Sequence, residues 1–383
     1  MDSSKRDSLI PETFLRKASA GALSDVERQL LSLIRIRAPI ARPELARVTG
    51  LSLQTIVRVV ASLMDRGLVV AGNKVITGRG QPSLPISLAR DAAYAIGFSI
   101  TADTLTGALI ELGGSILARR RQSIDARNKI ETLEAMRELA GELEREGGID
   151  RKRLFGAGVS LSGFFRDGRI NPPAGMEDWA VEGVELEIGQ HIGLATWVEN
   201  DGSAAAVGEL LYGRGKDIRT FAYVYVGAGL GGGLVLDGRL WRGARGNAGE
   251  LTGLIAPELR GERPTLKLLA GILAEQGLTW DSPEQMRANF DLSWPGVEAW
   301  LDRTAPATTA LLSAIGAVID PDAIIIGGDL PPALSQALVQ RASFYTVPVR
   351  GVERQFPNVL VSAIGADAAT LGAAALPFDR FFF

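Results

Sequence analysis

The chain of 383 residues contains no cysteine. That absence excludes disulfides and thiolate metal sites, and it fits a cytoplasmic protein. Histidine is almost missing as well, His191 being the single one. Most histidine-based metal centres and most Ser-His nucleophiles are thereby excluded. No uncharged apolar run reaches the roughly 18 residues of a membrane span, so no membrane contact is expected. The opening residues, Met1-Asp-Ser-Ser-Lys-Arg-Asp7, lack the apolar core of a signal peptide. Hydrophobic side chains, by contrast, make up 46% of the chain, which describes an ordered globular protein. At this length two or three domains are expected.

The net charge of −3 hides an asymmetry. Residues 1–90 carry 14 Lys and Arg against 7 Asp and Glu, and the remainder carries 27 against 37. A basic head on an acidic body suggests a nucleic-acid module joined to something else.

Residues 1–22 are polar and read as a flexible arm. From 23 to 90 the pattern is that of a winged helix-turn-helix. Ser24-Asp-Val-Glu27 is a capping box opening a helix to about Ile36. A second helix fits Pro43–Val48, closed by Gly50. Ser52 then caps a third, Leu53–Arg66, whose buried stripe is expected to be Leu53, Ile56, Val57, Val60 and Met64. Ser52, Gln54, Thr55 and Arg58 sit at its start, where a recognition helix meets operator DNA in the major groove. Leu68–Val70 and Lys74–Ile76 around the turn Ala71-Gly-Asn73 would form a wing. In Thr77-Gly-Arg-Gly-Gln-Pro82 behind it, Arg79 is a candidate for the minor groove and Gln81 a further DNA contact.

The body reads as α/β. Strands at Tyr94–Ile100, Thr106–Leu112 and Ser115–Ala118 precede a helix, Lys129–Glu146. Strands Leu154–Ser160 and Ala195–Val198 and helix Gly202–Tyr212 follow. That order suits a ribonuclease-H-like, actin-like ATPase lobe over 91–212, completed by a C-terminal helix over 366–383. A second lobe is expected over 213–365. It holds the glycine run Val226-Gly-Ala-Gly-Leu-Gly-Gly-Gly233. A dinucleotide-binding loop would lead into a helix, whereas this run lies between strand-like Phe221–Val226 and Leu234–Leu236. The better reading is a glycine-filled hairpin that lets a phosphate or sugar approach the backbone, followed by a tight Asp237-Gly238 turn.

Two further clusters could carry chemistry. Glu199-Asn-Asp201 places a carboxylate where a strand gives way to a helix, able to accept a substrate hydroxyl or simply to cap the helix. Gly246-Asn-Ala-Gly-Glu250 offers a carboxylate beside glycines, suited to vicinal hydroxyls or to an ordinary turn. His191 reads as a surface residue, Trp179 as core, and Phe381-Phe-Phe383 as a tail tucked against the body or a subunit interface.

These motifs in register resemble the ROK family of repressors and sugar kinases, in its transcription-factor branch. The matching stretches are Arg42-Pro-Glu-Leu-Ala-Arg-Val-Thr-Gly-Leu-Ser52, Arg79-Gly-Gln-Pro82, Glu199-Asn-Asp-Gly-Ser-Ala-Ala-Ala206, Gly229-Leu-Gly-Gly-Gly233 and Trp241-Arg-Gly-Ala-Arg-Gly-Asn-Ala-Gly-Glu250. The resemblance implies a sugar-kinase-like body that binds a sugar or sugar derivative through Asn200, Asp201 and Glu250, with Gly163 and Asn247 beside them. Asp201 is the catalytic base in kinase members. It also implies a repressor of carbohydrate genes, assembled as a dimer or tetramer. For Trp179 it equally implies a cover over the ligand cleft. The chain departs from the kinase pattern at Ser99 and Thr101, where an Asp and a glycine would serve the phosphates and Mg²⁺. Neither catalysis nor ATP is therefore expected. The family's zinc histidine falls on Gly253, so no zinc is expected either, and Lys267 aligns with a sugar-binding Glu. An active sugar kinase with an appended DNA-binding domain is the alternative.

Overall fold

The computed structural model describes residues 23–72, 84–280, 283–346 and 348–383. The N-terminal arm, the Lys74–Ile76 strand, Arg79 and Gln81 lie outside the described residues. The chain forms two compact units: Met1–Val159 with Gly183–Val198 and Ala373–Phe383, and Ser160–Glu182 with Glu199–Gly372.

In the first unit, helices α1 (Asp25–Arg37), α2 (Arg42–Thr49) and α3 (Leu53–Asp65) precede strands β1 (Val69–Ala71) and β2 (Ile86–Leu88). Local sequence sets these boundaries. Ser24 and Glu27 form the reciprocal capping box, Gly50 closes α2 in the left-handed conformation, and Ser52 caps α3. The phase of α3 differs from expectation. Ile56, Val59, Val60 and Leu63 are its buried residues, while Leu53 and Val57 are 50% and 48% exposed. Eight of its 13 residues are apolar, so two helical stripes fit the sequence, and packing against α1 and α2 selects one. The partner of β1 is β2, in antiparallel register, and Ile40 bridges to Ile86 on the other side.

The remainder of this unit is a five-stranded sheet in the order β5-β4-β3-β6-β9: β3 (Tyr94–Ile100), β4 (Thr104–Glu111), β5 (Ile116–Ser123), β6 (Leu154–Leu161) and β9 (Thr196–Asn200). Helix α4 (Lys129–Gly147) packs on β4. It also meets α5 (Val184–Ile192), where Lys129 pairs with Glu187 at 2.6 Å. His191 is exposed on α5, 3.7 Å from Glu134. The phenylalanine tail is tucked in. Phe382 is fully buried with its ring 4.9 Å from Phe155, and Arg35 of α1 lies 4.8 Å over Phe383.

The second unit opens with a small hairpin, β7 (Phe164–Arg166) and β8 (Arg169–Asn171), and helix α6 (Asp201–Tyr212). Its sheet runs β12-β11-β10-β13-β14, from β10 (Phe221–Val226), β11 (Leu230–Leu236), β12 (Arg239–Trp241), β13 (Ala323–Gly328) and β14 (Asn358–Val361). Residues alternate between two cores, as the pleat requires. Val224, Val226, Ile324 and Ile326 face α7 (Leu266–Glu275), α8 (Pro283–Ala288), α9 (Val297–Val318) and α10 (Pro332–Gln340). Tyr223, Tyr225, Val235 and Ile325 face Ala205 and Ala206 of α6 and the first turn of α11 (Ala368–Phe381). A sheet covered on both faces explains the unbroken apolar runs of β10 and β13. It also explains why α6 groups with this unit instead of with the strands before it. The Asp237-Gly238 turn joins β11 to β12 as expected, both residues at positive φ. Trp179 is fully buried core. No helix among the described residues is long and apolar enough to cross a membrane.

Candidate functional site

The glycine run is packed from within the protein. Gly231, Gly232 and Gly233 are strand residues of β11 paired with Tyr225, Val224 and Tyr223, and the turn itself is Gly227–Gly229. A Cβ on Gly202, at the start of α6, would lie 2.4 Å from the Gly232 carbonyl oxygen. One on Gly249 would lie 2.5 Å from the same atom. Strand, helix N-terminus and the 242–250 loop therefore meet backbone on backbone at Gly232, which only glycine permits. The chain's own backbone, not a phosphate, makes the close approach there. This junction brings Asp201 and Glu250 together.

Asn200 ends β9 and caps α6. Its Oδ1 accepts from the amides of Gly202 (2.9 Å) and Ser203 (3.2 Å), and its Nδ2 donates to the Gly163 carbonyl. Asp201 Oδ2 accepts from the Ser162 hydroxyl at 2.6 Å, and Oδ1 from the Gly202 amide at 2.8 Å. Burial holds the Asp201 carboxyl above the usual Asp range, and the charge of Asp329 adds to that. The bonds from Ser162 and Gly202 oppose it. Glu250 is raised too, first by partial burial and then by the charge of Asp201. Two carboxylates that burial and a neighbouring charge make costlier to ionise gain from any ligand that donates hydroxyl hydrogens to them.

The 242–250 loop is fastened at two points. Arg242 Nε donates to Glu199 Oε2 at 2.7 Å, and Oε1 of Glu199 accepts from the Asn200 amide at 3.1 Å. Asn247 accepts from the Phe165 amide and donates to the Phe165 carbonyl, both at 2.7 Å. Asn247 thus clamps the loop to Phe165 through one acceptor and one donor bond of its amide. Asn247→Ala is expected to cost about 1–3 kcal/mol of stability, measured by urea unfolding, since it leaves that backbone pair unpartnered.

Sequence reasoning missed Ser162, Arg242 and Asp329. Asp329 follows β13, with Oδ1 2.7 Å from Arg287 Nη1 and Oδ2 accepting from the Tyr225 hydroxyl at 3.3 Å. Burial, then the Asp329 charge, pushes the Tyr225 hydroxyl well above its usual range. The available signal was Gly327-Gly328-Asp329, a carboxylate at the end of a buried strand, just as Asp201 follows β9. A Cβ on Gly227 would lie 3.1 Å from Asp329 Oδ2, so this turn has an Arg287-paired carboxylate beside it.

In the first unit, Thr101 closes the tight turn after β3, its hydroxyl 3.0 Å from Asp103 Oδ1, and Ser99 pairs with Thr106 in the sheet. Neither position supplies the carboxylate or the glycine of a phosphate loop. Gly253 lies in a 3-10 turn, Leu251–Leu254, secured by Thr252 Oγ1 to the Leu230 carbonyl at 2.9 Å. Leu251 and Ile255 belong to the apolar core, so the residues present there do not fit zinc. Lys267 is exposed on α7.

At the start of α3, the Ser52 and Thr55 hydroxyls lie 2.8 Å apart, and Ser52 Oγ also accepts the Thr55 amide at 3.1 Å. Gln54 and Arg58 are exposed.

A family model described as the ROK family matches residues 95–380. The protein y4fQ of Sinorhizobium fredii is 31% identical over 370 residues, covering 94% of this chain and 92% of the relative. The crystal structure of a ROK family transcriptional regulator, a homologue of the Escherichia coli MLC protein, aligns at 21% identity with a TM-score of 0.60. It covers 94% of this chain and 97% of its own. The ROK hexokinase of Thermus thermophilus aligns at 23% identity with a TM-score of 0.57. Nearly all of it is matched (98%), but only 75% of this chain.

Proposed function

The chain belongs to the ROK family, and from that premise we propose that it is a DNA-binding transcriptional regulator of carbohydrate genes. It acts as a repressor, and a sugar or sugar derivative held by Asp201 and Glu250 releases it from its operator. One observation carries the reading: the regulator structure is matched over nearly the whole chain, whereas the hexokinase leaves a quarter of this chain unmatched. The family model likewise begins only at residue 95. The part before it is the basic head, whose three helices and Ile40–Ile86–β1 pairing support its reading as a winged helix-turn-helix with α3 as recognition helix. A homodimer would present two such heads to a pseudo-palindromic operator. Release requires the effector to bind the DNA-incompetent state more tightly, by about 1–3 kcal/mol on the usual scale of such couplings.

The test is operator binding followed by fluorescence anisotropy across a salt series, with a panel of sugars added. Absence of salt-dependent binding sinks the reading. Arg58→Ala is expected to weaken operator binding by about 1–3 kcal/mol if the guanidinium reads a base. An equal loss on random DNA assigns it to a phosphate instead. The second reading, a sugar kinase with an added head, draws on the raised pKa of Asp201, which suits a base. ATP turnover on a sugar, abolished in Asp201→Asn, would establish it. Ser99 and Thr101 argue against it.

A further inference from the structure

We infer that Leu53 and Val57 read thymine methyl groups, so that each operator half-site contains an A·T pair whose methyl lies against this pair of side chains. The inference rests on the reading of α3 as a recognition helix. Ile56, Val59, Val60 and Leu63 bury the inner face of that helix. On the other face Leu53 and Val57, one turn apart, leave about half their surface to solvent. Gln54, Arg58 and Ala61 are exposed with them. The hydroxyls of Ser52 and Thr55 face one another at the helix cap. The chemistry left on the outer face is therefore an aliphatic pair, a carboxamide and a guanidinium.

That combination suits one partner. The head carries twice as many basic as acidic residues, which favours a polyanion over an apolar protein groove. In the major groove of DNA only thymine presents an aliphatic group, its C5-methyl, and the adenine opposite offers N6 and N7 to a carboxamide. Gln54 beside Leu53 can thus serve the same or the adjacent base pair, while Arg58, one residue after Val57, reaches guanine or phosphate. Leucine and valine accept no hydrogen bond, so they select by penalising the polar edges of the other bases.

The full-length protein would first select its site from a random DNA library, and each thymine of that site would then be replaced singly by deoxyuridine, which removes only the methyl. At one or two positions per half-site the wild type is expected to lose about fourfold in affinity per methyl, the equivalent of one buried carbon. The Leu53→Ala/Val57→Ala double variant should bind the thymine and uracil forms alike at those positions. Both positions are exposed and alanine favours helix, so the variant is expected to keep its fold, checked by thermal melting. Val57→Thr preserves shape and should lose part of the discrimination. No uracil effect in the wild type, or one unchanged in the double variant, overturns the inference while leaving the DNA-binding reading in place. Loss of oligomer in the double variant, seen by sedimentation, would mark the face as a protein interface and overturn it too. Failure to select any site removes both.

Discussion

Asp201→Asn is expected to stabilise the protein at neutral pH and, at the same time, to weaken its response to effector. Burial raises the folded pKa of Asp201 above its value in the unfolded chain. The folded state therefore holds the proton more tightly, and stability is fully present below the unfolded value near 3.9. It is lost as pH rises through the raised folded value. At neutral pH the wild type carries this whole penalty, and asparagine, which has no charge to bury, carries none. Asparagine can still accept from Gly202 and donate to the Ser162 oxygen, so the local bonds survive. Ligand hydroxyls, however, lose a charged acceptor worth about 1.5–3 kcal/mol, roughly 10–150-fold in affinity. Thermal melts between pH 4 and 8 should show the variant's advantage over the wild type growing as pH rises through the raised folded value, with a higher midpoint at pH 7. Effector titrations should show release from DNA shifted to roughly 10–150-fold higher effector concentration. A variant that is less stable at pH 7, with the pH slope of the wild type, would mean that burial does not govern this carboxyl. The same substitution should lower the pKa of Glu250, whose second cause of elevation is the Asp201 charge.

How much of this was legible in the sequence depends on how local each signal is. Ser24–Glu27, Gly50 and Ser52 mark their helix ends because a cap is decided within four residues. The face of α3 was misjudged because its apolar residues satisfy two stripes, and the choice between them is made by α1 and α2, not by α3. In the site, Asn200, Asp201 and Glu250 announce themselves by the motifs around them. Ser162 and Asp329 reach Asp201 from strand ends 39 residues before it and far beyond it, and no local pattern encodes that register. Asn247 is the instructive case. The motif identifies the residue but not that its amide clamps Phe165, 82 positions away.

Gly249→Ala is expected to be the most damaging single methyl added to this site. The residue sits at φ +104, a conformation side chains rarely adopt, at a strain of about 1–3 kcal/mol. Its Cβ would also lie 2.5 Å from the Gly232 oxygen, 2.9 Å from the Gly232 carbonyl carbon and 3.0 Å from Gly233 Cα. All three are backbone atoms that cannot swing aside, so overpacking adds about 1–3 kcal/mol more. Gly253→Ala, four residues on, is the matched control: its Cβ meets nothing within 4 Å, and its effect should stay within about 0.5 kcal/mol. Urea unfolding of the two variants separates the cases, and equal stabilities would remove Gly232 as the junction of the site. Effector affinity should fall in the same order, because Glu250 is bonded directly to the displaced residue. The glycines of β11 then have a role that needs no nucleotide. They let α6 and the 242–250 loop settle on one strand, and that contact sets the distance between the Asp201 and Glu250 carboxylates.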